Sequence, residues 1–227
     1  MKYENTVHAI FIERVNRFIG LVNLKGEIVT THIKNTGRCK ELLIPGVEVV
    51  LAKSPNPARK TLYDLVAVYK TGLGWVNIDS MAPNAAVFEW LSGPKSLFKG
   101  ITRLKPEYTH GSSRTDFYLE CGERKILIEV KGCTLEVDKM GYFPDAPTSR
   151  GVKHLHDLAA AAGEGYECYI AFVIQMPHIK KVLPNIKTHP MFGVALDEAV
   201  KAGVKVLYLP CEVSPNELVI SEAILDS

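Results

Sequence analysis

Long hydrophobic runs are missing from this 227-residue chain: no stretch approaches the roughly 18 apolar residues of a membrane span. The N-terminal MKYENTVHAI carries acidic and polar groups where a secretory signal would be apolar, so a cytoplasmic protein without a membrane partner is expected. Cysteine is scarce. Its five copies, Cys39, Cys121, Cys133, Cys168 and Cys211, are odd in number, far apart and never arranged as CxxC. That pattern argues against a disulfide framework or a thiolate zinc site and for reduced thiols. A large excess of either charge is absent as well, with 27 Lys and Arg against 25 Asp and Glu, a net charge of +2. Such a balance provides no broad grip on a polyanion, so nucleic-acid binding would have to come from local patches. At 47% hydrophobic and 23% charged residues the chain is too apolar for a disordered tail, and its length suits one large domain or two small ones.

What is present centres on Arg114 to Lys131, RTDFYLECGERKILIEVK, which reads as two strands joined by a type II′ turn at Gly122-Glu123. That turn sets a register in which Cys121 faces Arg124, Glu120 faces Lys125, Leu119 faces Ile126, Phe117 faces Ile128, Asp116 faces Glu129 and Arg114 faces Lys131. Opposed Cβ atoms lie ~5 Å apart and alternate residues share a face, so Asp116, Glu129 and Lys131 converge. Two carboxylates that close repel each other but suit a divalent cation, here Mg²⁺ or Mn²⁺ held by Asp116 and Glu129, with Lys131 beside a metal-bound water. Taken alone, Glu-x-Lys also fits a plain cross-strand ion-pair face. Ile126-Leu127-Ile128, apolar on both faces, instead places Glu129 and Lys131 where a covered central strand leaves the core.

The first eighty or so residues contain short β-branched runs, HAIFIERV, RFIGLVNL, EIVTTHI, VEVVLA, DLVAVYK and WVNID, broken by turn residues. They predict a small OB-like barrel over residues 1–82. Asn35-Thr36-Gly37-Arg38-Cys39-Lys40 followed by a helical ELL reads as a phosphate cradle or, equally, as a turn with a solvated rim. Arg14 and Arg17 would add to a basic groove. An α/β domain, α+β over the chain as a whole, is expected over 83–227: a helix at PNAAVFEWLSG with Ala86, Phe88, Trp90 and Leu91 on its apolar stripe, the hairpin, and a long segment from Gly132 to Gly151 containing Glu136, Asp145 and Arg150. A second helix follows, capped by Ser149, buried along Val152, Leu155, Ala159 and Ala162, and carrying Lys153, His154, His156 and Asp157 outward. Arg150, Lys153 and His154 near its start would meet a phosphate. The strand CYIAFVIQM closes a βαβ unit with Gln175 at its end, beside Glu129 and Lys131.

Asp116 followed by Glu129-Val130-Lys131 resembles the core of the PD-(D/E)xK nucleases, which would make the second domain a nuclease-like mixed sheet flanked by helices. SRTDF (Ser113 to Phe117), EVKGCTLE (Glu129 to Glu136), FPDAPTSRGVKHLHDL (Phe143 to Leu158), NTGR (Asn35 to Arg38) and NPARK (Asn56 to Lys60) resemble the sugar fermentation stimulation protein A (SfsA) family over nearly the whole chain. The nuclease resemblance also implies Glu107 as a further acidic group upstream of Asp116 and Gln175 as a site residue, although Thr115 stands where that pattern has a proline. The SfsA resemblance implies DNA binding linked to sugar utilisation.

Three functions follow. The first is metal-dependent phosphodiester hydrolysis on DNA by Asp116, Glu129, Lys131, Gln175 and Glu107, the strand being gripped by Asn35, Thr36, Arg38, Lys40, Arg114, Arg150, Lys153 and His154. The second is a DNA-binding regulator of sugar utilisation on a nuclease-like scaffold that does not cut. The third, a sensor of a sugar or sugar phosphate, lacks a visible aromatic and amide lining. DNA strand type and a homodimeric state stay open.

Overall fold

The computed structural model describes residues 1–111 and 113–226. Six strands come first: β1 (Thr6–Arg14), β2 (Ile19–Leu24), β3 (Glu27–Ile33), β4 (Glu48–Lys53), β5 (Tyr63–Lys70) and β6 (Gly74–Asn77). Their order β3-β2-β1-β4-β5-β6, with an added parallel pairing of β3 to β5, closes the first five into an OB-like barrel. Closure removes the unpaired edges a short sheet would otherwise expose. Phe11, Val22, Ile33, Val49, Leu51, Leu65 and Val68 fill the inside, each essentially without exposure.

Helix α1 (Ala82–Ser92) then leads to β7 (Ile101–His110), β8 (Ser113–Cys121), β9 (Arg124–Cys133), β10 (Leu135–Val137), β11 (Met140–Phe143), α2 (Ser149–Gly163), β12 (Glu167–Ile174), β13 (Val182–Pro184), α3 (Pro190–Lys201), β14 (Lys205–Ser214), β15 (Glu217–Ile220) and β16 (Ile224–Leu225). The main sheet runs β15-β14-β12-β9-β8-β7, with β16 on β14; β10, β11 and β13 make a smaller sheet. β9, β12 and β14 are parallel, and α2 is the crossover from β9 to β12. Ile126, Leu127, Ile128, Ile170, Ala171, Phe172 and Leu207 are buried because the sheet is covered on both faces. α1 packs with Phe117, Ile128 and Val173 on one face, while α2 and α3 join Leu127, Phe172 and the barrel interior in a second, continuous core.

The hairpin register holds from Cys121↔Arg124 to Phe117↔Ile128. Gly122 has φ 62° and Glu123 does not share the positive value, the pattern a type II′ turn needs. Three local expectations are corrected. α2 is capped by Thr148, whose side chain accepts from Gly151 N at 2.9 Å, not by Ser149, which is its first residue. Its buried line is Gly151, Leu155, Leu158 and Ala161. On α1, Phe88 points outward at 43% exposure while Val87 takes its place inside.

At the far end of the parallel strands Glu167 lies between Lys205 Nζ at 2.6 Å and Arg124 Nη2 at 2.7 Å. Burial pushes its carboxyl up, but Lys205, Tyr169 and Arg124 outweigh that and hold it down at about 2. A depressed carboxylate adds stability that is whole above its unfolded value near 4.5 and is lost as pH falls toward 2. Glu167→Gln is therefore expected to flatten the acid limb of a plot of Tm against pH across that window. An unchanged limb would place the titration elsewhere.

Candidate active site

The hairpin changes character after Phe117↔Ile128. Instead of continuing the ladder, Thr115 Oγ1 donates to Ile128 O at 3.1 Å and Asp116 Oδ2 accepts from Val130 N at 2.7 Å. Side chains thus take over backbone groups that the separating strands would leave unpaired. Asp116 Oδ1 accepts from Asn84 Nδ2 of α1 at 2.8 Å, which orients the carboxylate from the opposite layer. Glu129 is 3% exposed, and its Oε1 accepts from both Lys131 Nζ and His154 Nδ1. His154 Nε2 accepts in turn from Arg150 Nε at 3.2 Å. That bond places the ring proton on Nδ1, facing Glu129.

The two carboxyls are pushed in opposite directions. Burial and then the charge of Glu129 raise Asp116 above the ordinary carboxylate range. Burial also pushes Glu129 up, but the hydrogen bond from His154 and the charge of Lys131 outweigh it and leave Glu129 below its usual value. An acid and a base of different strength side by side are what proton-transfer chemistry requires.

The structure brings Asp116, Glu129 and Lys131 together and separates several residues expected to join them. Glu107 is a correction: although its place on β7 lies opposite Asp116, between the pairs Pro106↔Phe117 and Tyr108↔Thr115, its side chain is 69% exposed and is turned to Arg114 at 3.6 Å. Arg114 does not oppose Lys131, because the β8–β9 ladder stops at Phe117↔Ile128; on its other edge it pairs with Thr109 of β7. Gln175 is a second correction. Its Nε2 donates to Asn77 O at 3.1 Å, Asn77 Oδ1 at 2.9 Å and Asp79 O at 3.1 Å, so this amide joins the barrel to the sheet and does not reach Glu129. His154 is a third, since it faces Glu129 and not outward beside Lys153.

The 35–40 loop is also held differently from a phosphate cradle. Asn35 donates to Ile78 O and accepts from Gly37 N, while the Arg14 guanidinium donates to the carbonyls of Asn35, Gly37, Arg38 and Arg17. Asn35, Gly37 and Arg14 are thereby spent on the loop itself, and the ELL segment is a single turn closed on Cys39 O, not a helix. Thr36, Arg38 and Lys40 remain exposed. Lys153 pairs with Asp157 at 2.7 Å.

Sequence reasoning missed Asn84, and it put His154 on the wrong side of α2. The signal for His154 was present: with Leu158 and Ala161 it makes an i, i+4, i+7 line, which is a buried spacing.

A closed OB-like barrel joined to a two-sided α/β sheet, with an Asp, Glu and Lys group at the end of its central strand, defines a two-domain class of protein with a built acidic site. The sugar fermentation stimulation protein RE domain matches residues 81–217 and the SfsA N-terminal OB domain matches residues 12–78. The chain is 51% identical over 218 residues to a sugar fermentation stimulation protein homolog of Desulfitobacterium hafniense strain Y51, covering 96% of this chain and 94% of that one. A homolog of Ruminiclostridium cellulolyticum is 49% identical over 224 residues, 99% and 98% of the two chains. The solved structure of Pyrococcus furiosus SfsA in complex with Ca²⁺ aligns over 99% of this chain and 96% of that chain, with TM-score 0.82 and 31% identity. The chain belongs to the SfsA family.

Proposed function

We propose that the protein binds DNA and hydrolyses its phosphodiester bonds with Mg²⁺ or Mn²⁺ at Asp116 and Glu129. The observation that carries this reading is the geometry of two carboxylates, Asp116 held by Asn84 Nδ2 and Val130 N and the buried Glu129 held by His154 Nδ1 and the half-buried Lys131 Nζ, an arrangement costly to folding without a use. No group of three or more His, Cys, Asp and Glu side chains is placed to hold a metal ion among the described residues, this site included. Two carboxylates still suit Mg²⁺, which keeps several waters and is commonly held by one or two carboxylates plus substrate phosphate oxygens. Each carboxylate oxygen has two lone pairs, so the bonds from Asn84 and Val130 N leave Asp116 able to act as a ligand. The relative from Pyrococcus furiosus solved with Ca²⁺ supports a hard-cation site in the family.

When bound, the cation would polarise a phosphate oxygen and acidify a water. Lys131, 13% exposed and anchored on Glu129, meets the charge that develops on the phosphate. His154 fixes Glu129 and is itself fixed by Arg150 Nε, so the carboxylate keeps one orientation without rearrangement. Asn84 does the same for Asp116. Arg38, Lys40 and Lys153 hold the backbone of the strand. The second reading, a DNA-binding regulator that does not cut, rests on the modest net charge and the family name alone.

Nicking of plasmid and of single-stranded DNA in Mg²⁺ and in Mn²⁺, with binding recorded in EDTA, separates them. Cutting that EDTA abolishes while binding persists is the expected result. Binding without cutting in either metal would leave the regulator.

A further inference from the structure

A cavity of about 180 Å³ lies between barrel and sheet, and it gathers three stretches that the carboxylate pair does not use: the loop at Asn35 to Gly37, the turn at Phe143 to Asp145, and Gln175. Gly132 of β9 and Thr134 just past its end form part of its wall, so it begins at the residue after Lys131. Alternation along the strand turns it to the other face, where a Cβ at Gly132 would collide with Gln175 Oε1. Among its lining residues Asp145 alone carries a formal charge.

The unmet polar groups of this cavity are acceptors. Asp145 Oδ2 is buried with no hydrogen-bond partner, pressed against Gly37 where a Cβ would clash with it. Gln175 has committed its Nε2 to Asn77 and Asp79, which leaves Oε1 on the cavity wall. A buried acceptor without a donor is costly, and an anion would add repulsion from Asp145. The complement is therefore a neutral group rich in N–H. The hydroxyls of Thr36 and Thr134 serve either role, Ser80 Oγ, which donates to Lys34 O, can only accept, and Tyr142 adds a ring edge or face. The volume equals about six waters, enough for one planar heterocycle and too little for a base with its sugar and phosphate.

We propose that this cavity receives a single nucleobase bearing an exocyclic amine, turned out of the bound strand, with Asp145 Oδ2 and Gln175 Oε1 accepting from its N–H groups. The inference rests on the nucleic-acid reading above and adds a base preference to it. Turning a base out costs least in single-stranded DNA, so single strands are the favoured substrate.

Fluorescence anisotropy in EDTA, with short oligothymidylates carrying one central cytosine, adenine or abasic site, tests it. The full-length protein should bind the cytosine and adenine oligomers about ten-fold more tightly than the abasic one. Asp145→Asn should bring all three to the abasic level. Equal wild-type affinities, or an equal loss for every oligomer in Asp145→Asn, overturn the proposal. Calorimetry with free deoxycytidine and with neutral monosaccharides is the companion measurement. Heat from a sugar and none from deoxycytidine overturns the nucleobase assignment, as does heat from neither in a protein that binds no oligomer. Cutting in Mg²⁺ is scored separately: base preference without cutting sinks the catalytic reading alone, and cutting without base preference sinks this one alone.

Discussion

Replacing Glu129 by glutamine is expected to lower metal-dependent cutting by about 10²–10³-fold while DNA binding in EDTA is kept or strengthened. The side chain is nearly isosteric, so His154 Nδ1 still finds an acceptor oxygen, but the negative charge that a divalent cation needs is gone. Losing that charge beside a polyanion removes repulsion, which is why binding should not fall. Folding provides an independent signature. Lys131 Nζ has Glu129 as its direct ion partner and is only 13% exposed, so the variant leaves the ammonium with only the neighbouring charge of Asp116, at a cost of about 3 kcal/mol. That is a sizeable part of a typical domain's stability, and the nicking rates should be taken well below the variant's Tm. Lys131→Met is expected to lose cutting as well, and the double variant Glu129→Gln/Lys131→Met should be more stable than Glu129→Gln alone, because the two changes remove one coupled pair. First-order nicking rates and thermal melts of the three variants check both parts. Glu129→Gln cutting at the wild-type rate would move the chemistry away from this site.

Gln175→Glu is expected to be the most destabilising conservative change in the chain, by about 4 kcal/mol or more at neutral pH. The wild-type Nε2 meets three acceptors, Asn77 O, Asn77 Oδ1 and Asp79 O, in a side chain that is 2% exposed. Glutamate would turn that donor into a third oxygen among oxygens. Its carboxyl is relieved by taking up a proton, so its folded pKa must lie above the unfolded one. Stability is then present at low pH and lost as pH rises, opposite in sign to Glu167. Gln175→Leu, which leaves the acceptors unmet without adding charge, should cost less, about 1–3 kcal/mol. Urea denaturation of both variants at pH 5 and pH 8 checks the order and the sign. A Gln175→Glu protein as stable as the wild type at pH 8 would mean that the amide does not hold barrel and sheet together.

These two residues show how far the sequence could be read. Glu129 was legible because its neighbours obey short-range rules: a glycine turn at Gly122, strand alternation on either side, and a strand apolar on both faces ending in Glu-x-Lys. The barrel was legible for the same reason, in runs of β-branched residues punctuated by turns. The cavity was not legible. A lining of amides, hydroxyls and a tyrosine ring is absent from any one stretch and forms only where residues from the 35–37 loop, β9 and the 142–145 turn meet.

Gln175 was misread because its position at a strand end is a local fact, while its partner Asn77 is 98 residues away in sequence. His154 was misread for a subtler reason. A helix with apolar residues at 152, 155 and 158 to 162 admits two neighbouring buried stripes, and only packing against β8 and β9 selects the one that includes residue 154. By itself, then, the sequence determined the hairpin and its register as far as Phe117, the barrel strands and the convergence of Asp116, Glu129 and Lys131, because turn chemistry and side-chain alternation act over a few residues. The tertiary structure decided which face of α2 looks inward, what Gln175 and Arg14 hold, and where a buried carboxylate oxygen of Asp145 is left waiting for a donor. Those outcomes depend on which distant polar groups burial forces into contact, and no local pattern encodes that.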